Sequence, residues 1–415
     1  MNFKKKFYQF LRWTEKYTKT DMVYFFESSF WWILGRIFSF LTSFLILMTF
    51  AHFATKEVYG VYQYVLSVAT ILGIVSLPGI NIALIRAVAK KKERTFFLCE
   101  KEKLKFGFFN FLIIFGISLW YFLHRNFELG ISFLIAGIFF PLTSFFSLCF
   151  AFWQGKKRFD IQNIYFIITH FFGAFILISF IYFNPKAISV ILGYFLGFSF
   201  PNFLFWLLTR KKIERTTKED KEAISFGKHL TFMNLPLIIS SQMHKIILWQ
   251  TLGPVAVAIF SFAWRIIQRL QELIPFSPLA LPKMAERNLK EKEVKKRILN
   301  KFLKLFLISI PLTFIYFFFC PFLFKIFFPN YAECVIYSQV LSLILILSPF
   351  SFLATVFIAE AKRKELYILN FTPEILKLIL FLSLIPLFKI WGAVFSILIS
   401  QIFYSILVFY LFKKL

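Results

Sequence analysis

Arg265, Arg269 and Glu272 stand four and then three residues apart, the spacing that stacks side chains on one face of a helix. They belong to an apolar run near residues 255–280. Arg265 lies about eleven residues into it, or roughly 16 Å at a helical rise of 1.5 Å per residue. If the run crosses a bilayer, that depth is near the midplane, where a charge costs about 2.5–3.5 kcal/mol and should face a cavity or a partner. One carboxylate cannot neutralise two guanidinium groups. The face therefore keeps surplus positive charge, which suits an anion such as a phosphate held bidentately by arginine. The competing arrangement is a structural Arg–Glu pair plus an arginine snorkelling inward. Arg36, some seven residues into the run near 29–50, could serve the same cavity or snorkel back to its own interface. Lys245, beside His244, is expected to reach the nearer interface. Glu374 and Lys377, three apart, are expected to satisfy each other.

Enzyme templates do not fit. Histidines 52, 124, 170, 229 and 244 are scattered, with no His-Glu-x-x-His. Cysteines 99, 149, 320 and 334 lack metal spacing and imply no disulfide framework. No glycine-rich phosphate loop follows a strand, so neither ATP hydrolysis nor any cofactor or metal is expected. The run near 29–50 contains no Asp or Glu. Glu272, Glu360 and Glu374 are the weaker candidates for carrying a proton.

The elements that position these charges are twelve apolar runs, near 29–50, 60–84, 106–123, 129–152, 161–183, 187–209, 229–250, 255–280, 302–323, 335–359, 366–388 and 390–411. Each is long enough to span a bilayer as a helix, which takes roughly 20 residues. The N-terminus and every second loop hold 6, 8, 3, 7, 9, 3 and 2 Lys and Arg, while the loops between hold one each. Basic residues near helix ends are retained in the cytoplasm, so both termini are expected inside. Hydrophobic content of 59% excludes an ordinary soluble chain. The net charge of +27 is then a lipid-facing surplus on cytoplasmic loops, and no nucleic acid is expected. The 64 phenylalanines read as lipid-facing filler rather than a site. Residues 1–20 are basic with Phe3, Phe7, Phe10 and Leu11 at helical spacing. They fit an amphipathic surface helix or a frayed tail.

The predicted class is all-α, a polytopic membrane protein of about twelve helices. The segment 55–64 opening the second run is echoed by 253–262 opening the eighth, and 154–158 by 360–364, both offsets near half the chain. Two parallel six-helix halves follow. The expected division is a cytoplasmic amphipathic segment 1–28, a first half 29–212, a cytoplasmic linker 213–228 and a second half 229–415. Pro78-Gly79 and Pro275 could be hinges for rocking the halves, or static kinks.

The segment Phe53-Ala-Thr-Lys-Glu-Val-Tyr-Gly-Val-Tyr62, followed by Gly79-Ile-Asn-Ile-Ala-Leu-Ile-Arg-Ala-Val-Ala89, resembles the start of bacterial Wzx-type oligosaccharide flippases. Ile246–Pro254, Phe260–Arg265 and Ile385–Ala393 are similar to parts of their second half. The likeness spans nearly the whole chain. It implies the fold of multidrug (MATE) exporters and lipid II (MurJ-type) flippases. It also implies that undecaprenyl-pyrophosphate carrying a sugar repeat, as for O-antigen or capsule, moves between leaflets of the bacterial cytoplasmic membrane. It further implies a cationic cavity, for which Arg265, Arg36 and, by proximity, Arg269 qualify, and pathway partners such as polymerase and chain-length proteins. The chain departs from lipid II flippases in having about twelve spans and from many drug exporters in lacking an acid in its first run. The alternatives are a MATE-like drug or metabolite antiporter and an O-antigen polymerase or ligase. The second would need a substantial outer loop that this chain lacks.

Overall fold

The computed structural model describes residues 12–13, 22–213, 218–272, 292–360 and 362–414. The expected amphipathic segment at 1–20, apart from Arg12 and Trp13, and the candidate hinge Pro275 lie outside them.

Among the described residues every regular element is helical. A first group contains α1 (Met22–Phe53), α2 (Lys56–Leu72), α3 (Gly79–Ala89), α4 (Thr95–Leu123), α5 (Phe127–Phe146), α6 (Leu148–Gly155), α7 (Phe159–Phe183) and α8 (Ala187–Arg210). A second contains α9 (Glu222–Met233), α10 (Leu235–Leu252), α11 (Pro254–Glu272), α12 (Lys292–Phe327), α13 (Cys334–Ser342), α14 (Ile344–Leu347), α15 (Phe350–Ala359), α16 (Arg363–Phe388) and α17 (Ile390–Lys414). Polar caps set several starts. Thr55 accepts a hydrogen bond from the amide of Val58, and Asn126 from that of Leu129. Gly253, at φ 81°, turns the chain between α10 and α11.

Nine described helical stretches are long and apolar enough to cross a membrane, or ten if the pair Cys334–Leu347 and Phe350–Ala359, bent by 43°, is one span. The two other runs expected from sequence are also helical, as α9–α10 and α11, but each carries polar side chains in its apolar stretch. Ser240, Gln242, His244 and Lys245 interrupt the one, and Arg265, Gln268, Arg269 and Glu272 the other. The least apolar of the expected spans are thus those that hold Lys245 and the Arg265–Glu272 face. Many large side chains point outward, Phe171, Phe175, Phe183 and Phe318 among them, as a lipid-facing surface requires.

The second run breaks. After α2 a 3-10 turn covers Gly73–Ser76, Leu77 takes the left-handed φ of 54°, and Pro78, lacking an amide donor, precedes α3. The expected boundary at residue 228 falls inside α9, which packs mainly on α3 of the first group. Residues 95–105, which precede the apolar run near 106–123, are continuous with it in α4, and Glu100 and Lys103 are buried there. They can be buried because they are partnered: Glu100 accepts from the Trp206 indole at 2.6 Å, and the Lys103 ammonium donates to the Ser144 carbonyl at 2.7 Å.

The two groups meet along α2, α10 and α11. At the charge-poor end, Gly60 abuts Pro254 so closely that an added Cβ would sit 2.0 Å from its carbonyl oxygen. Lys56 pairs there with Glu333, and the rings of Phe262 and Tyr331 stack at 4.0 Å. At the basic end, the Gly79 amide donates to Thr231 Oγ1 at 3.0 Å, and a Cβ on Gly79 would sit 2.3 Å from the Gly227 carbonyl. Ion pairs Lys92–Asp220 (3.1 Å), Arg94–Glu219 (2.8 Å) and Lys228–Glu102 (2.9 Å) surround that contact.

Candidate functional site

Between these two ends the charges converge. α11 carries Arg265, Arg269 and Glu272 on one face toward the first group, and α1 brings Arg36 opposite them. Glu272 accepts from Arg269 at 2.6 Å and lies 3.7 Å from Arg36. A single carboxylate therefore sits between guanidinium groups from both groups of helices. The Arg36 guanidinium also lies 5.1 Å from the ring centre of Trp32, which holds it along its own helix. Arg36 thus lies beside Glu272 of α11.

Arg265 is one helical turn deeper and is exposed to open space. Among the described residues it has neither ion pair nor hydrogen bond, yet its charge reaches Tyr59 and Tyr62 on α2, Tyr194 on α8, His170 on α7 and Lys245 on α10. His170 also lies within reach of Arg269 and Arg36. Arg269 keeps a buried Nε–H without a partner. Three arginines against one carboxylate leave a positive surplus and free donors, the combination that binds a phosphate or another anion.

Lys245 differs from expectation. It does not reach for the interface but donates to Gln63 Oε1 on α2 and to Gln242 Oε1, each at 3.1 Å. Two amide oxygens offer the ammonium acceptors within reach, and so it turns inward. Glu374 and Lys377 form the expected pair, and Glu374 also accepts from the Ser240 hydroxyl of α10. Pro78 and Gly79 lie away from the cluster, at the break between α2 and α3.

Gln63, Tyr194 and His170 were not singled out from sequence. Gln63 had a signal, being an amide in an apolar run one turn from Tyr59. Tyr194 and His170 had none, since only the packing of α7 and α8 brings them to α11. No group of three metal-ligating side chains occurs among the described residues.

Residues 25–288 match the family model described as polysaccharide biosynthesis protein. This chain belongs to that family. No curated protein matches it. The lipid II flippase MurJ in an inward closed conformation is similar in structure, with TM-score 0.68 and 12% identity over 94% of this chain and 87% of that one. A multidrug resistance MATE transporter of the MOP superfamily, inward-facing, gives 0.66 and 12% over 92% of this chain and 97% of that one. A MOP superfamily transporter from Pyrococcus furiosus Vc1 (DSM3638), described as having a binding pocket of reverse polarity, gives 0.64 and 14% over 93% and 94%. These likenesses establish the MATE- and MurJ-like polytopic fold. Those three neighbours are described as transporters and a flippase.

Proposed function

We propose that this chain carries undecaprenyl-pyrophosphate-linked oligosaccharide, an O-antigen, capsule or similar repeat unit, from the inner to the outer leaflet of the bacterial cytoplasmic membrane. Arg265 is the observation that carries the reading. It is a membrane-depth cation without a counter-charge among the described residues, placed where the two groups of helices meet. The pyrophosphate would replace its lost hydration with charge-assisted hydrogen bonds to Arg265, Arg269 and Arg36. The polyprenyl tail would stay in lipid. Glu272 would keep the arginines apart and limit the surplus, so that the anion can leave again.

Alternating access would open the charge-poor contact at Gly60–Pro254 and the basic-end contact at Gly79–Gly227 in turn. Pro78 and Gly79 adjoin the second contact, which favours a hinge there. The basic end would face the cytoplasm, toward anionic lipid. A family named for polysaccharide biosynthesis supports a sugar-bearing cargo, and the MurJ fold supports a lipid-linked one. A positive cleft works against a cationic drug as cargo.

The test is deletion of the gene followed by complementation with wild type or Arg265→Ala, with the leaflet distribution of lipid-linked oligosaccharide as readout. Accumulation on the inner leaflet in the deletion, cleared by wild type and not by the variant, is expected. An unchanged distribution in the deletion would overturn the substrate.

A further inference from the structure

We infer that a cavity open to one side between α10, α16 and α17 is a sugar subsite that takes one pyranose ring of the cargo; this rests on the flippase reading. The cavity measures about 270 Å³. That is just under the roughly 300–1,000 Å³ of drug-sized ligand sites, so it suits a single ring rather than a chain of them. Asn234, Asn370 and Gln401 line it, with Tyr404 and the Glu374–Lys377 pair.

The chemistry of the lining selects the ligand. The three side-chain amides make no hydrogen bond within the protein among the described residues. Each offers a donor and an acceptor, the complement of a sugar hydroxyl, which is also both. Asn234 and Gln401 are half-buried and Asn370 is exposed, so all three can turn to a polyhydroxyl ring in the cavity. Leu237 and Pro373 give the cavity an apolar wall for the C–H face of a ring. Glu374 is already neutralised by Lys377 and accepts from Ser240, so the site has no net charge to recruit a cation or a phosphate.

Position supports the same assignment. Ser240, on the cavity side of α10, is five residues from Lys245, which lies in the field of Arg265. Five residues are about 7.5 Å of helix rise. Asn234 enters from the junction of α9 and α10, which helical hydrogen bonding leaves irregular.

The test measures binding of two lipids to the full-length protein in nanodiscs: undecaprenyl pyrophosphate, and the lipid-linked repeat unit extracted from the deletion strain. Variants are Asn370→Leu, Gln401→Leu and Arg265→Ala. The sugar-bearing lipid should bind wild type more tightly than the bare one. Asn370→Leu and Gln401→Leu should each weaken it about tenfold, the worth of one or two net hydrogen bonds. Their affinity for bare undecaprenyl pyrophosphate should not change, which also reports that they are folded. Arg265→Ala should weaken both lipids. If both cavity variants bind both lipids as wild type does, the sugar subsite is overturned while loss in Arg265→Ala leaves the flippase reading standing. If wild type binds neither lipid, both fall.

Discussion

Two charged sites lie at membrane depth in this molecule, and they are balanced in opposite ways. The cluster on α11 and α1 sets three arginines against Glu272 and spans both groups of helices. The Glu374–Lys377 pair is one to one, lies within α16, and is tied to α10 through Ser240. The first leaves charge for something else to neutralise. The second leaves only neutral hydrogen-bonding capacity. A charge that the protein itself completes can hold structure, whereas an incomplete one implies a ligand, and the distinction rests on partner counts rather than on which residues are ionisable.

The contrast can be broken by substitution. Arg265→Ala should cost the most, roughly 2–5 kcal/mol of head-group binding, because a desolvated charge contact is lost outright. Loss of transport with normal amounts of folded protein in the membrane would show it. Lys377→Met should do the reverse, lowering stability while leaving undecaprenyl pyrophosphate binding alone. Stranding a buried partner costs roughly 3–5 kcal/mol, less here because both side chains are partly exposed. The double variant Lys377→Met/Glu374→Leu should recover much of that in a thermal unfolding measurement. Gln63→Leu removes an acceptor from Lys245 and should slow transport by a smaller factor, following the roughly 1.5–3 kcal/mol of a charged hydrogen bond. Glu272→Gln raises the surplus and should tighten anion binding while slowing release, visible as a longer residence time. The smallest effect belongs to the aqueous pair Lys92–Asp220. The hydrogen bond from Lys92 holds the Asp220 carboxyl below its ordinary value. Its contribution is therefore present above the ordinary carboxylate pKa and is lost as pH falls through the lowered one. Asp220→Asn should remove that acid sensitivity with little change near neutrality, and a pH series of unfolding midpoints would show it.

Much of this was legible in the sequence because two signals are periodic. Apolar run length placed α7, α8, α16 and α17 within a few residues of their ends. The spacing of Arg265, Arg269 and Glu272 put them on one face before any packing was known. The break at Leu77-Pro78 was visible as a proline, though not as a left-handed leucine. Long-range partners were not legible. Arg36 and Glu272 are separated by most of the first group, and nothing local says that they meet. Lys245 was misjudged for the same reason, since its acceptor Gln63 lies on α2. The burial of Lys103 was missed because eight basic residues between 86 and 105 resemble a solvated loop until the Ser144 carbonyl is seen beside one of them.

The seat of α9 on α3 has a consequence for how the chain is made. Ribosomes deliver the first six spans before residues 222–233 emerge, and earlier segments fold first. The groove of Gly79 and the acidic and basic side chains around it would thus already stand when α9 arrives. The second group would begin from a moored segment rather than from a free end, and its insertion would inherit a fixed starting point. Substitutions at Gly79 or Gly227 would then show up first as poor biogenesis, before any cargo is handled.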